Sequence, residues 1–127
     1  MVTSERLDGP LVPQTARSDD ASLAAALASG AGQILLALRA RADAGDGPRD
    51  GRDLGRAGDA ASQAWLAAAL EETRPDDAVL SEEAESDPGR LSARRVWIID
   101  PLDGTREFSE VGPDGVRRTD FAVHVAL

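Results

Sequence analysis

The feature that most constrains the fold is a continuous apolar run at residues 96–99 (VWII), which leads directly into residues 100–105 (DPLDGT). Four consecutive apolar residues without alternation are typical of a strand that is buried on both faces of a sheet. Such strands occur in layered α/β proteins, in which ligands gather beyond the carboxyl ends of the strands. The run therefore predicts a buried strand that is followed at once by functional groups.

Two helices are predicted ahead of this strand. The first begins at residues 18–20, which supply a cap and negative charge at the helix start, and it ends near Arg41. The second begins at Asp59 and ends near Thr73, and residues 43–58 between the helices have the Gly, Asp and Arg composition of a loop. The apolar positions at helical spacing are Leu23, Leu27, Ile34, Leu35 and Leu38 in the first helix and Ala61, Trp65, Leu66, Ala69 and Leu70 in the second.

Further short strands are predicted at residues 78–80 and 120–127, with a turn-rich segment at 110–119. Residues 1–17 contain two Pro and scattered charges, and they predict a disordered tail before a folded portion at residues 18–127. A last strand without a neighbour would leave an open sheet edge. We therefore expect part of a larger α/β (α+β) layered sandwich, with two helices packed on part of a β-sheet.

Composition restricts the chemistry. The chain carries 14 Arg and Lys residues against 23 Asp and Glu residues, and its net charge is −9. An acidic chain repels a phosphate backbone, so a nucleic acid polymer is not an expected partner. The absence of Cys excludes thiolate metal sites and cysteine nucleophiles, and the single His excludes sites built from several histidines of one chain. Hard metals with oxygen ligands are the inorganic chemistry that remains.

The sequence also leads to an expectation about location. No apolar run approaches the roughly 20 residues that a membrane span needs. The first residues lack the apolar core of a secretion signal. We therefore expect a cytoplasmic protein that does not contact a membrane.

Asp100 and Asp103 follow the predicted strand, and Pro101 stiffens the backbone between them. The two carboxylates and the carbonyl of Leu102 place three oxygens within four residues, which is a donor set that suits Mg²⁺. Gly104 allows the backbone to approach a ligand, and the next residue begins a predicted short helix whose free N–H groups suit a phosphate. The alternative is that D-P-x-D-G forms an ordinary β-turn without a metal.

Other polar residues have both a functional and a structural interpretation. Glu82 and Glu83 follow a short predicted strand, so Glu82 reaches the same metal if the two strands are neighbours; otherwise the pair is a solvated turn. Asp59 and Thr105 could form a hydrogen-bonded pair that relays a proton from an attacking water, or Asp59 is an ordinary helix N-cap. His124 lies in an apolar strand and is interpreted as a packed or pocket-wall residue and not as a catalytic base.

Three segments together resemble the inositol monophosphatase superfamily of metal-dependent, lithium-sensitive phosphatases. They are residues 53–59 (DLGRAGD), 80–83 (LSEE) and 97–105 (WIIDPLDGT). The extension at residues 103–108 (DGTREF) resembles the CysQ-type 3′(2′),5′-bisphosphate nucleotidases, whereas inositol monophosphatases tend to carry Thr-Asn in place of Arg106 and Glu107. The match covers residues 18–127, and it implies the N-terminal half of the family's fold.

The resemblance implies a role for each matching residue. The implied metal ligands are Glu82, Asp100, the Leu102 carbonyl and Asp103. The implied phosphate-binding residues are Asp103, Gly104 and Thr105. Asp100 would bridge two Mg²⁺ ions, and Thr105, paired with Asp59, would help activate the nucleophilic water.

The resemblance also implies an activity, which is Mg²⁺-dependent hydrolysis of a small phosphomonoester by two-metal activation of water. The expected substrate is 3′-phosphoadenosine 5′-phosphate, whose 3′-phosphate is removed in sulfate assimilation, and the alternative substrate is an inositol phosphate. The family's C-terminal half supplies a further aspartate ligand in a Trp-Asp motif. A truncated chain that binds metal without turnover is therefore a second alternative, and we expect the 127-residue chain alone to be inactive. The full-length form could assemble as a homodimer.

Overall fold

A computed structural model describes residues 19–48, 50–82 and 88–127 of the chain. The predicted tail at residues 1–17 lies outside the described residues, and so does Glu83, which follows the first predicted short strand. The elements follow in the order α1 (Asp20–Asp43), α2 (Gly51–Thr73), β1 (Ala78–Ser81), a 3-10 turn (Pro88–Leu91), β2 (Val96–Asp103), α3 (Thr105–Ser109) and β3 (Ala122–Ala126).

The described strands form one mixed sheet in the order β1-β2-β3, with β2 parallel to β1 and antiparallel to β3. Helices α1 and α2 pack on one face of this sheet, where Leu27 and Leu66 share a buried cluster with Trp97 and Ile99 of β2. A second cluster around Phe108 joins the same helices to α3. The predicted α/β class, with two helices on part of a sheet, is confirmed.

Helix α2 begins eight residues before the predicted start, at Gly51, so the prediction of a loop over residues 51–58 is wrong. Asp50 caps the helix, since its carboxylate accepts a hydrogen bond from the amide of Arg52 at 2.8 Å. Gly55 and Gly58 would weaken α2 as an isolated helix, but they let α2 lie against α3. A Cβ at Gly55 would lie 2.6 Å from the Thr105 methyl, and one at Gly58 would lie 2.9 Å from the Phe108 ring. Tertiary packing therefore outweighs helix propensity here.

The earlier start of α2 also settles the interpretation of Asp59. Its alternative role as a helix N-cap is wrong, because the residue lies inside α2 and Asp50 occupies the capping position. Asp59 is half-buried on the side of the helix that faces α3. Its side chain is thus available to the site and not to the helix terminus.

Strand β2 is longer than predicted, and it is not buried on both faces. It continues through Asp103, so the interpretation of D-P-x-D-G as an ordinary β-turn is wrong. Pro101 is accommodated because the register with β3 shifts between Asp100 and Asp103, and such an irregularity removes the need for a ladder N–H. Along the strand Trp97 and Ile99 are buried, whereas Ile98 between them is 52% exposed. Among the described residues, no element covers the face that carries Ile98, and it is called the open face below.

Helix α1 is long and apolar enough to cross a membrane by length and composition alone. In this fold, however, Leu23, Leu27 and Leu35 are fully buried against the sheet and the neighbouring helices. Gly30 permits that packing, since a Cβ at this position would overlap the indole of Trp65. One side of α1 therefore packs in the core, although only 33% of its most apolar window is buried, and the expectation that no segment approaches the length of a membrane span is not met by this helix.

Candidate active site

The carboxylates predicted to bind metal lie on or directly after two strands that are side by side: Asp100 and Asp103 belong to β2, and Glu82 follows β1. Ser81 of β1 pairs with Ile99 of β2 in a parallel register, and the next residues along the two segments are Glu82, directly after β1, and Asp100 of β2. Across the other edge of β2, Asp100 pairs with His124 of β3. Residues opposite each other on neighbouring strands share a face of the sheet. The topology therefore places Asp100 and His124 on one row of the open face, and the condition on which Glu82 is expected to reach the same metal, that the two strands are neighbours, is met.

Asp103 lies at the end of the same strand and contacts His124. The two side chains meet at 3.0 Å between Nε2 and Oδ2, and they are 58% and 63% exposed, with the histidine the less exposed of the pair. The interpretation of His124 as a packed residue is therefore wrong. It points to the open face because its neighbours Val123 and Val125 take the alternate, helix-facing positions of β3. Residues 120–127 (DFAVHVAL) place His124 between two valines, and the alternating sides of a strand were the available signal for its orientation.

Thr105 and Asp59 are brought together by the contact between α2 and α3. The hydroxyl of Thr105 lies 3.5 Å from Oδ2 of Asp59 and 3.4 Å from the carbonyl oxygen of Leu102. Since a hydroxyl carries one proton, it can donate to one of these oxygens at a time and still accept a proton from a third group. The pair predicted from the sequence is thus present, at distances near the long end of hydrogen bonding.

Two further contacts fix the backbone of β2 beside these residues. The amide of Leu102 donates to Oδ1 of Asp100 at 3.3 Å. The fully buried hydroxyl of Ser62 donates to the carbonyl of Pro101 at 2.8 Å. Ser62 lies three residues after Asp59, on the same side of α2. Sequence reasoning missed it, and its only signal was a polar residue on the apolar stripe of the helix.

The donor set suits Mg²⁺ in chemical type. Carboxylates and a main-chain carbonyl are hard oxygen ligands, and Mg²⁺ in proteins is held by one or two carboxylates, retained waters and substrate phosphates. Within residues 19–48, 50–82 and 88–127, no three His, Asp or Glu side chains are gathered closely enough to hold a metal ion by themselves. The residues fit a metal that is bound by few protein ligands, and the ligand roles of Glu82, Asp100, Leu102 and Asp103 stay a prediction.

A cleft of about 340 Å³ adjoins these groups on the side of β3, between Gly104 and Phe121. Gly104 has φ 83°, in the left-handed region, and a Cβ there would lie 3.1 Å from the carbonyl of Asp120. Only glycine meets both conditions at low cost. Glu107 and Asp120 form an acidic wall, and a hydrogen bond from Arg118 holds the pKa of Asp120 below its ordinary value.

The model of the inositol monophosphatase family matches residues 17–127 of the chain. The chain belongs to this family. The resemblance that the motifs indicated is therefore confirmed, and the sheet with its covering helices is consistent with part of the inositol monophosphatase fold.

Several curated relatives of this family member are named for a phosphatase activity. The 3′-phosphoadenosine 5′-phosphate phosphatase of Mycobacterium leprae is 55% identical over 108 residues, which are 85% of this chain and 36% of the relative. Its namesake from Mycobacterium bovis is 53% identical over 97 residues, 76% of this chain and 33% of the relative. The 3′(2′),5′-bisphosphate nucleotidase CysQ of Escherichia coli is 39% identical over 74 residues, 56% of this chain and 27% of the relative. The chain thus spans about a third of the length of the mycobacterial relatives that it matches.

Proposed function

We propose that this member of the inositol monophosphatase family acts in Mg²⁺-dependent removal of the 3′-phosphate of 3′-phosphoadenosine 5′-phosphate, and that the described residues supply part of the active site. The observation that carries the proposal is the Thr105 hydroxyl, held between the carboxylate of Asp59 and the carbonyl of Leu102 next to the strand that bears Asp100. The names of the mycobacterial relatives support the choice of substrate.

The chain's own groups would move the proton. Thr105 donates its hydroxyl proton to Asp59, and its oxygen then has lone pairs to accept a proton from an attacking water. A carboxylate beside a hydroxyl stabilises the proton as it is transferred, which is general base catalysis through an intervening group. The carbonyl of Leu102 competes for the same hydroxyl proton, so the orientation of Thr105 decides whether the relay to Asp59 is in place.

The metal ligands would be Glu82, Asp100, the Leu102 carbonyl and Asp103. When bound, Mg²⁺ lowers the pKa of a coordinated water and neutralises charge on the phosphoryl and leaving oxygens. The parallel pairing of β1 with β2 supports this assignment for Asp100 and Glu82, and Ser62 donates a hydrogen bond to the carbonyl of Pro101, which lies between the proposed ligand positions. Gly104 and Thr105 would bind the substrate phosphate through their amides at the turn into α3.

The test is phosphate release by the protein in the form that its own cells make. We expect faster release from 3′-phosphoadenosine 5′-phosphate than from inositol 1-phosphate, and loss of release when Mg²⁺ is chelated. Asp59→Asn should lower kcat by at least about 100-fold, because it removes the proton acceptor. Asp53→Asn is the matched control, since Asp53 is exposed on the same helix, and it should leave kcat unchanged.

The outcomes separate the alternatives. A preference for inositol 1-phosphate would move the assignment to the inositol phosphatases. Mg²⁺ binding that is weakened in Asp100→Asn, without phosphate release from either substrate, would favour the alternative of a chain that binds metal without turnover.

A further inference from the structure

Arg39 is a charged residue that α1 carries into the interior of the protein. The residue is only 8% exposed. It donates hydrogen bonds to two main-chain carbonyls, that of Arg118 at 2.7 Å and that of Phe108 at 3.5 Å. The guanidinium also lies over two aromatic rings, 4.9 Å from the centre of Phe121 and 5.6 Å from that of Phe108. A buried charge is costly unless its donors and its face are both engaged.

The groups around Arg39 shift its pKa in opposite directions. Burial lowers the pKa of its guanidinium, and the nearby positive charge of Arg117 lowers it further, whereas Asp43 acts in the opposite direction. Arg117 is itself paired with Asp43, through contacts that include 2.9 Å between Nε and Oδ1. Two cations and one carboxylate thus meet where α1 ends and the segment before β3 begins.

Both cations act on the C-terminal end of α3. Arg39 donates to the carbonyl of Phe108, and Arg117 donates to the carbonyl of Ser109 at 2.7 Å. The last carbonyls of a helix have no partners within the helix, and the helix dipole makes this end attractive to positive charge. The two arginines therefore donate to the last two carbonyls of α3.

The opposite end of α3 carries Thr105. The helix has only five residues and is about 7.5 Å long. A helix of one turn is not stable by itself, so its position depends on the groups that hold it. Any displacement of the end that carries Phe108 is passed directly to Thr105, whose distance of 3.5 Å to Asp59 leaves little tolerance.

We propose that Arg39 is a positioning residue for the candidate active site: from α1 it holds the C-terminal end of α3 and so keeps the Thr105 hydroxyl against Asp59. The contribution to turnover rests on the proposed function, whereas the placement of Thr105 does not. Arg39 touches neither Asp59 nor Thr105 through any of its contacts described above, so its effect passes through α3.

The test compares Arg39→Met and Arg39→Lys with Arg74→Met. Arg74 is the matched control because its side chain is 13% exposed and donates to the Thr73 carbonyl at the far end of α2. The first readout is the nuclear Overhauser effect between the Thr105 methyl and the Hα protons of Gly55, which lie in contact in the native packing. The second is hydrogen exchange at the amides of Phe108 and Glu110, which are bonded to the carbonyls of Gly104 and Arg106.

Arg39→Met should weaken the Overhauser effect and accelerate exchange at both amides at least tenfold, relative to Arg74→Met. The Overhauser effect and the exchange rates of Arg39→Lys should lie between those of Arg39→Met and Arg74→Met. An ammonium keeps the charge and one donor direction but lacks the planar guanidinium and its stacking on the rings. Unchanged signals in Arg39→Met would overturn the proposal. If this variant does not fold, the same comparison of Arg39→Lys with the control decides it.

Turnover provides the functional readout. Arg39→Met should lower kcat at least tenfold and change KM less than twofold, because small displacements of catalytic groups slow the chemical step. If Arg39→Met shows faster exchange and a weaker Overhauser effect but an unchanged kcat, the role of Arg39 in positioning the site for turnover is overturned. If the unaltered protein releases no phosphate, the proposed function fails, and the Overhauser effect and the exchange rates alone then decide whether Arg39 places Thr105.

Discussion

The two faces of the sheet differ in what the same strands place on them. On the covered face, Ser81, Ile99 and Val125 form a row against α1 and α2. On the open face, the next row contains Asp100 and His124. Alternate residues of one strand therefore differ in their surroundings: one set packs in the core, and the other presents the polar side chains of the candidate site. The difference predicts that stability and activity can be changed separately along β2.

The largest expected effect comes from a substitution on the covered face of the sheet. Trp97 is fully buried, and Trp97→Ala should lower the free energy of unfolding by about 3–5 kcal/mol, through lost contacts and a cavity. Ile98 is its neighbour on the open face and is 52% exposed, so Ile98→Ala should cost about 1 kcal/mol or less. Urea denaturation measures both variants. Equal losses would show that the open face contributes to stability as much as the covered face.

A smaller effect is expected from two glycine substitutions in α1, one on its packed side and one on its open side. Gly30→Ala places a methyl group into the indole of Trp65 and should destabilise the protein by about 1–3 kcal/mol. Gly32 lies two residues later, and a Cβ there meets open space. Gly32→Ala should therefore stabilise the protein by up to about 1 kcal/mol through helix propensity. Thermal unfolding of the pair gives the measurement, and destabilisation by both variants would contradict the packing described for α1.

The sequence predicts those parts of the fold that depend on local pattern. The stripe of α1, the second part of α2 and the strand at residues 96–99 follow from apolar spacing, and all are found. The start of α2 does not follow, because Gly55 and Gly58 disfavour a helix until Thr105 and Phe108 pack against them. Propensity is a property of the segment, whereas this contact joins residues that are far apart in the chain.

The candidate site shows the same division. The motifs identified Asp59 and Thr105, which the structure brings together. They did not identify the contact between His124 and Asp103, because it depends on the register of β3 and on the shift after Asp100. Nor did they identify Arg39, whose importance arises only when Phe108 and Phe121 surround it. A charge on a helix is normally assigned to solvent until its neighbours are known.

The smallest expected effect concerns ion pairs at the other end of the sheet from the candidate site. Asp20 of α1 contacts Arg95, which precedes β2, at 2.8 Å and Arg74, which follows α2, at 3.2 Å. Hydrogen bonding from Arg95, and then from Arg74, holds the pKa of Asp20 below its ordinary value. The side chain of Asp20 is 36% exposed, and ion pairs that solvent reaches in this way contribute little because water screens them. Their signature is therefore a pH dependence and not a large loss of stability.

The direction of that dependence follows from the lowered pKa. The contribution of Asp20 is complete above the ordinary aspartate pKa of about 4, and it is lost as the pH falls through the lower value of the folded state. Asp20→Asn removes the titrating group, so its stability should fall less than that of the unaltered protein between about pH 5 and pH 2. Asp76→Asn changes an exposed carboxylate near the start of β1 and should keep the full dependence. The measurement is the free energy of unfolding, from denaturation at a series of pH values. If that free energy changes with pH equally in Asp20→Asn and in the unaltered protein, these ion pairs do not contribute to folding.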